Sequence, residues 1–202
     1  MGVRPRDRVL QIADELFYAR GLHAVGIDEI VARSGAAKAT LYAHFPTKDD
    51  LIAAYLQQRS DDWRAHLTAV LEAQPRTPAE SIDAIFQTLA DGCGSEGFRG
   101  CPFINAAAEY PQPTHPARRI GTEHRRWVRD LLLSFAKAGR WSDPDALADQ
   151  LSLLYDSAMV GSQLEGHNAP ADRAREAART LVAAAARPRR TPPRERSRRK
   201  RR

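Results

Sequence analysis

Hydrophobic residues recur along most of this chain at the spacing of α-helices. In the first segment Val9, Leu10, Ala13, Leu16 and Phe17 fall on one helical face. No segment before residue 187 alternates polar and apolar residues in the way that predicts a strand. The pattern therefore predicts an all-α fold of about nine helices. The first predicted helix ends before residue 21. The other eight span residues 27–33, 37–43, 47–74, 79–91, 102–110, 116–138, 143–164 and 171–186.

Two of the predicted helices are short and close together in the sequence. Helices 27–33 and 37–43 are joined by a tight turn at Ser34-Gly35, which gives them the proportions of a helix-turn-helix. In such a unit the second helix enters the major groove of DNA, and neighbouring segments contact phosphates. We therefore expect residues 37–48 to contact double-stranded DNA.

The residue types in this segment suit those contacts. Lys38 and Thr40 can reach base edges or phosphate oxygens, and the small side chains around them let the backbone approach the groove. Tyr42 and His44 can donate hydrogen bonds to phosphates. The next helix begins close to Lys48, which adds a cation beside N–H groups that already favour anions. The candidate DNA contacts are Lys38, Ala39, Thr40, Tyr42, His44 and Lys48.

The order of a helix, Gly-Leu-His, a helix, Ser-Gly, a helix and Tyr-x-His-Phe-x-x-Lys-x-x-Leu resembles the TetR family of bacterial transcriptional repressors. The resemblance covers roughly the first fifty residues. It departs from the family at Val25-Gly26, where Thr and Ser are usual, and at Ala43, where a larger polar residue is common. The residues that carry it are Ala13, Phe17, Gly21, Ile27, Ile30, Ala32, Gly35, Leu41, Tyr42, His44, Phe45, Lys48 and Leu51.

The resemblance implies a homodimeric, ligand-responsive repressor of a palindromic operator. A helical C-terminal domain would bind a small-molecule effector, whose identity the sequence leaves unknown, and would dimerise through its last two long helices. The effector would shift the fourth helix, change the separation of the two DNA-binding units and lower operator affinity. The domains would be residues 1–48 for DNA binding and 49–186 for effector binding and dimerisation, followed by a basic tail at 187–202.

The last two predicted helices carry apolar faces that fit this dimer. Leu147, Leu151 and Leu154 lie on one of them, and Leu181 and Val182 lie on the other. Paired with the same faces of a second copy, they would form a four-helix interface. The alternative is that these faces belong to the core of a single chain.

The candidate effector or sensor residues include one cysteine in a distinctive setting. Pro102, at the first position of a predicted helix, would make Cys101 the N-cap, where the helix N-terminus and Arg99 favour a thiolate. The Gly-Cys-x-x-x-Asn arrangement resembles a subgroup of TetR regulators, some of which sense electrophiles through that cysteine. The alternative is a small buried residue that packs a turn. The candidates are Cys101, Phe103, Asn105, Trp127 and Tyr155.

Charge separates the last sixteen residues from the rest. The net charge of +6 includes ten Lys or Arg and one Glu in 187–202, a balance of +9, which leaves −3 for the other 186 residues. With three prolines and many like charges, this tail is predicted to be disordered. It would either attract nucleic acid or anionic lipid non-specifically, or be a solvated terminus.

Several other classes of protein are disfavoured. No apolar run approaches the roughly 18 residues that cross a membrane, and His115 and His124 lack neighbours at metal-ligand spacing. We expect no cofactor, no metal, no enzymatic activity and a cytoplasmic location. Two rival functions are a small thiol-redox enzyme that uses Cys93 and Cys101, and a DNA-coating protein that acts through its Arg-rich tail.

Overall fold

A computed structural model describes residues 4–186, which form nine α-helices and no strand. This confirms the predicted all-α fold, and the helix boundaries lie within a few residues of those predicted. No helix among these residues is long and apolar enough to cross a membrane. The predictions for the basic tail fall at 187–202, outside the described residues. The helices are α1 (Pro5–Arg20), α2 (Ile27–Ser34), α3 (Lys38–His44), α4 (Lys48–Glu72), α5 (Pro78–Cys93), α6 (Pro102–Glu109), α7 (Pro116–Ala138), α8 (Pro144–Glu165) and α9 (Ala169–Ala185).

Local signals start and end these helices. Thr47 caps α4 in a reciprocal pair with Asp50: the Thr47 hydroxyl accepts from the Asp50 N–H at 3.1 Å, and the Asp50 carboxylate accepts from the Thr47 N–H at 3.0 Å. Thr77 caps α5 in the same way. At the other end of α2, Gly35 has φ of 65°, a left-handed conformation that glycine adopts without steric cost.

The first of two apolar cores holds α1, α2 and α3 together and extends beyond them. It contains Phe17, Ile30 and Leu41 from these helices, each at most 2% exposed. It also contains Leu51, Ile52, Tyr55 and Leu56 from the first half of α4, Cys101 at the N-cap of α6, and Phe103 and Ala106 from α6 itself. The three N-terminal helices therefore pack on elements of the larger C-terminal part of the chain.

The second core lies among α5, α7, α8 and α9, and it includes residues of the predicted dimer surface. Leu147, Leu151 and Val182 are at most 6% exposed and belong to this core, and Leu154 and Leu181 pack against it half-buried. These residues face each other because α8 and α9 pack together within one chain. Within one chain these residues are therefore largely covered, and their role in dimerisation remains a prediction. The large apolar residues that α8 exposes are Leu153, Val160 and Leu164.

Charged contacts also fasten α5 to α9. Asp83 accepts hydrogen bonds from Arg175 at 2.8 and 2.7 Å and from Arg179 at 2.6 and 2.9 Å. The hydrogen bonds from Arg175, followed by those from Arg179, hold the pKa of the Asp83 carboxyl well below its usual range.

Candidate nucleic-acid interface and ligand cavity

The turn between α2 and α3 is locked by its own side chain and backbone. The hydroxyl of Ser34 donates to the carbonyl of Val31 at 3.2 Å and accepts from the N–H of Ala36 at 3.3 Å. The N–H of Gly35 donates to the Val31 carbonyl at 3.1 Å. These bonds satisfy the end of α2 and fix the direction in which α3 leaves the turn.

One face of α3 is buried and the opposite face is open. Leu41, within α3, and Phe45, which ends it, are 0% and 3% exposed, so both anchor the helix to the first core. On the other side, the structure exposes Lys38, Ala39, Tyr42 and His44 and leaves Thr40 half-buried. Five of the six predicted DNA-contacting residues therefore lie along one short, accessible helix. Their role in binding remains a prediction.

Lys38 is already paired within the chain. Its Nζ lies 2.6 Å from a carboxylate oxygen of Asp28, and both side chains are exposed. The hydrogen bond to Asp28 raises the pKa of Lys38, so the amine is protonated at neutral pH. An exposed pair of this kind contributes little stability. DNA phosphates can therefore compete with Asp28 for the cation.

Lys48 is the least accessible of the predicted contacts. It is the first residue of α4 and is half-buried. Burial lowers the pKa of Lys48, while the carboxylates of Glu109 and Asp49 oppose that shift. As the first residue of α4, Lys48 lies at the N-terminus of that helix, where anions are favoured.

A further cation near α3 was missed in the sequence. The guanidinium of Arg6, in the first turn of α1, lies 5.4 Å from the centre of the Phe45 ring. This places an exposed positive charge beside the C-terminal end of α3. The available signal was the run of Arg4, Arg6 and Arg8, three cations within five residues.

A cavity of about 560 Å³, partly open to solvent, lies between α1, α4, α5, α6, α7, α8 and the loop that joins α5 to α6. Cys101, Phe103 and Tyr155, three of the predicted effector residues, line it. Asn105 lines a separate groove and donates to the Arg99 carbonyl at 2.8 Å. Trp127 lies outside the wall of the cavity, with the guanidinium of Arg64 5.1 Å from its ring centre.

A smaller cavity of about 230 Å³ lies next to this one, and Phe103 and His124 line both. Its central feature is the ring of His124, which stacks on Phe103 with 4.0 Å between ring centres. Nδ1 of His124 is hydrogen-bonded to the hydroxyl of Ser60 at 3.0 Å. Burial, followed by repulsion from Arg64, lowers the pKa of His124 to about 4, so the ring is neutral near pH 7.

The structure corrects the predicted thiolate at Cys101. Cys101 is the N-cap of α6 as predicted, but it is only 6% exposed. Burial raises the pKa of its thiol to about 11, and this outweighs the N–H groups of Ile104 and Phe103, which act in the opposite direction. Cys93 is the last residue of α5, it is buried, and burial raises the pKa of its thiol as well.

The C-terminal end of α6 contacts the loop between α1 and α2. Both carboxylate oxygens of Glu109 accept backbone N–H groups from this loop, and His23 Nε2 lies 3.0 Å from the Glu109 carbonyl. The ring of His23 stacks on Tyr110, which stacks in turn on His115. A second link is Tyr18, whose hydroxyl donates to the Gly100 carbonyl at 3.1 Å. Sequence reasoning missed these contacts, most of which join residues more than eighty positions apart.

Comparison with known proteins agrees with this architecture. Residues 9–55 match the family model described as bacterial regulatory proteins, tetR family. A TetR-family transcriptional regulator from Streptomyces coelicolor is 36% identical in sequence, with a TM-score of 0.85 over 91% of this chain and 96% of that protein. A TetR-type regulator from Streptomyces avermitilis is 31% identical, with a TM-score of 0.78 over 91% of this chain and 98% of that one.

The sequence relatives include other regulators of this kind. The HTH-type transcriptional regulator LmrA of Bacillus subtilis is 31% identical over 127 residues, which is 61% of this chain and 66% of LmrA. The HTH-type transcriptional regulator YjdC of Escherichia coli is 23% identical over 180 residues, 88% of this chain and 93% of YjdC. Together with the helix-turn-helix surface and the all-helical C-terminal part, these similarities show that the chain belongs to the TetR family of DNA-binding transcriptional regulators and is not an enzyme.

Proposed function

We propose that this protein is a homodimeric repressor that binds a palindromic operator and releases it when a small-molecule effector occupies the cavity. The observation that supports operator binding best is the exposed face of α3. A locked turn presents this face, and an apolar anchor at Leu41 and Phe45 holds it from behind. A small helix with one buried face and one polar, cationic face is suited to the major groove.

We propose different roles for three parts of the chain. Residues 1–48 would read DNA, 49–186 would bind the effector and the second copy, and 187–202 would add non-specific attraction to DNA. The first core also includes the start of α4 and part of α6. The DNA-binding part is therefore mechanically joined to the helices that surround the cavity, as a ligand-controlled regulator requires.

We propose that dimerisation uses the outward face of α8 in place of the buried leucines. Leu153, Val160 and Leu164 are spaced by seven and four residues, which puts them on one side of the helix. Leu164 is 82% exposed and Leu153 is 62% exposed. We expect a second copy of the chain to pack against this apolar stripe. A palindromic operator has two equivalent half-sites, and a dimer supplies one helix-turn-helix for each of them.

The proposed route from effector to DNA runs through α4 and α6. Phe103, near the start of α6, lines the cavity, whereas Glu109 at its end holds the loop that precedes α2. Because α6 has only eight residues, a displacement at one end is transmitted to the other. An effector that fits the cavity better in an arrangement with low DNA affinity would release the operator.

Within this proposal, a non-covalent effector is favoured over an electrophile. The thiol of Cys101 is buried and its pKa is raised, and both properties slow alkylation. The protein would act in the cytoplasm, where bacterial DNA lies.

The experiment is selection of binding sites from random duplexes, followed by footprinting of the full-length protein on the selected site. We expect a symmetric protected region with two half-sites in equivalent positions. A second preparation that lacks residues 187–202 should keep the same preferred site with weaker non-specific binding and a smaller salt dependence. Loss of all sequence preference on removing the tail would instead support the DNA-coating function.

A further inference from the structure

The cavity has walls of a particular chemistry. Aromatic side chains from four parts of the chain line it: Trp63 from α4, Phe98 from the loop after α5, Phe103 from α6 and Tyr155 from α8. Aromatic faces at several positions favour flat, unsaturated molecules, which stack on them in offset or edge-to-face contacts. The volume of about 560 Å³ is within the range of small-molecule sites.

The charges inside the cavity are matched to each other. Among Asp, Glu, Lys and Arg, its lining contains one guanidinium, Arg59, and three carboxylates. Arg59 donates to both carboxylate oxygens of Asp14, at 2.5 and 2.9 Å, and its guanidinium lies 4.3 Å from the ring centre of Tyr18. Because the carboxylate of Asp14 neutralises the guanidinium of Arg59 and occupies its Nε and one Nη, an anionic ligand would have to compete with a charge already in place.

The carboxylates of the cavity likewise give a cationic ligand no strong ion pair. Asp14 is engaged by Arg59, and the two other carboxylates, Asp62 and Glu96, are exposed. Ion pairs at such exposed positions contribute little. His124 adds no positive charge near neutral pH, since its pKa is lowered to about 4. The site is therefore built for an uncharged molecule.

The ring of His124 offers such a molecule a polar group in the wall of the cavity. His124 is 7% exposed, lines both cavities and engages Ser60 through Nδ1, and its Nε2 has no hydrogen bond to another described residue. A neutral imidazole either donates or accepts at Nε2, according to the tautomer that Ser60 selects. A hydroxyl group satisfies both tautomers, because it can donate and accept.

From these observations we infer that the effector is an uncharged, flat aromatic molecule with a hydroxyl group, a phenol in chemical class, that hydrogen-bonds to Nε2 of His124. This inference rests on the proposed function, and it specifies the ligand of the same cavity. The aromatic body of the ligand would lie among Trp63, Phe103 and Tyr155.

The test uses three probes of equal ring size: 2-naphthol, naphthalene and 2-naphthoate. Calorimetric titration of the full-length protein at pH 7 should show that 2-naphthol binds on the order of ten-fold more tightly than naphthalene, because a buried hydrogen bond is gained. 2-Naphthoate should bind more weakly than both. Equal affinity for 2-naphthol and naphthalene, or tighter binding of 2-naphthoate, would overturn the inference.

Two variants separate the hydrogen bond from the charge balance. His124→Phe keeps a ring beside Phe103 and should abolish the preference for 2-naphthol over naphthalene, whereas Ser60→Ala keeps Nε2 and should retain the preference. Asp14→Asn leaves Arg59 without a charged partner and should improve the binding of 2-naphthoate about ten-fold. Retained preference in a folded His124→Phe protein, or unchanged 2-naphthoate binding in Asp14→Asn, contradicts the corresponding part of the inference.

A spectroscopic measurement on the wild-type protein tests the same hydrogen bond without any variant. In ¹⁵N-labelled wild-type protein, 2-naphthol should shift the Nε2 resonance of His124, whereas naphthalene should leave it nearly unchanged. The absence of a selective shift would overturn the contact. Operator binding is measured on the same samples: loss of sequence-specific DNA binding would refute the proposed function, while the probe affinities would still decide the chemistry of the cavity.

Discussion

The carboxylate of Glu109 accepts the backbone N–H of Leu22 at 2.8 Å and that of His23 at 2.7 Å. These N–H groups belong to the loop between α1 and α2, and Glu109 ends α6. Gly21 allows the close approach: its φ is 91°, and a Cβ there would lie 3.0 Å from an oxygen of Glu109. The side chain of Glu109 therefore joins the loop that precedes α2 to α6, the helix whose other end lines the cavity.

Glu109→Ala should destabilise this junction. It leaves two backbone donors without their charged acceptor, which costs about 1–3 kcal/mol of unfolding free energy, whereas Glu109→Gln retains one acceptor oxygen and should lose less. Urea denaturation gives the free energies, and hydrogen exchange at Leu22 and His23 reports the local effect. Unchanged exchange at both amides in Glu109→Ala would show that the contact does not hold the loop.

Lys48→Ala should weaken binding to all DNA sequences alike. A phosphate contact carries no base information, and its loss should reduce the slope of log affinity against log salt by about 1. Arg6→Ala should behave in the same way if the cation beside Phe45 also meets a phosphate. Anisotropy titrations on the selected operator and on a scrambled duplex measure both effects. Relaxed specificity at a single base pair in Lys48→Ala would assign it a different role.

Leu164→Glu should shift the protein from dimer to monomer. It places a charge in the exposed apolar stripe of α8, where burial against a second copy would leave that charge unpaired. Thr68→Glu, on an exposed position of α4, adds the same charge elsewhere and is the matched control. Sedimentation across a concentration series measures the equilibrium. Equal dimerisation of both variants would place the interface on another surface.

Cys101 should react slowly with alkylating reagents in the folded protein. A rise in its pKa from 9.0 to about 11 reduces the thiolate population about 100-fold near neutral pH, and burial hinders access further. Timed iodoacetamide labelling with mass spectrometry, in native protein and in urea, measures the protection. A mobility shift with a quinone on wild type and Cys101→Ser is the functional control. If the quinone releases DNA from wild-type protein and not from Cys101→Ser, the cysteine-sensor mechanism would be restored.

Asp83→Asn should destabilise the protein by about 1–3 kcal/mol at neutral pH, because Asp83 joins α5 to two arginines of α9. Its pKa is lowered in the folded state, so this stabilisation is present above the unfolded-state pKa of roughly 3.9 and is lost as the pH falls through the folded-state pKa. The difference between wild type and variant should therefore shrink below about pH 4. Thermal melts from pH 7 to pH 3 measure it, and a constant difference would contradict the ion-pair origin.

The sequence by itself determined the helices and the DNA-reading unit. Apolar periodicity, the Thr47 cap and the Ser34-Gly35 turn are local signals that act within a few residues. Leu41 and Phe45 point into the core because they are spaced by one helical turn, and the polar residues of α3 lie on the opposite face. Local chemistry was enough there because each signal acts on its own backbone.

Only the tertiary structure decided which helical faces are covered and by what. Leu151 and Val182 have the same apolar pattern whether a neighbouring helix or a second chain buries them, and here α8 and α9 bury each other. Cys101 has the local setting of an activated thiol, yet packing around it raises its pKa because desolvation depends on distant elements. The hydrogen bonds between Glu109 and the loop that precedes α2 likewise join residues more than eighty positions apart, a proximity that no local pattern encodes.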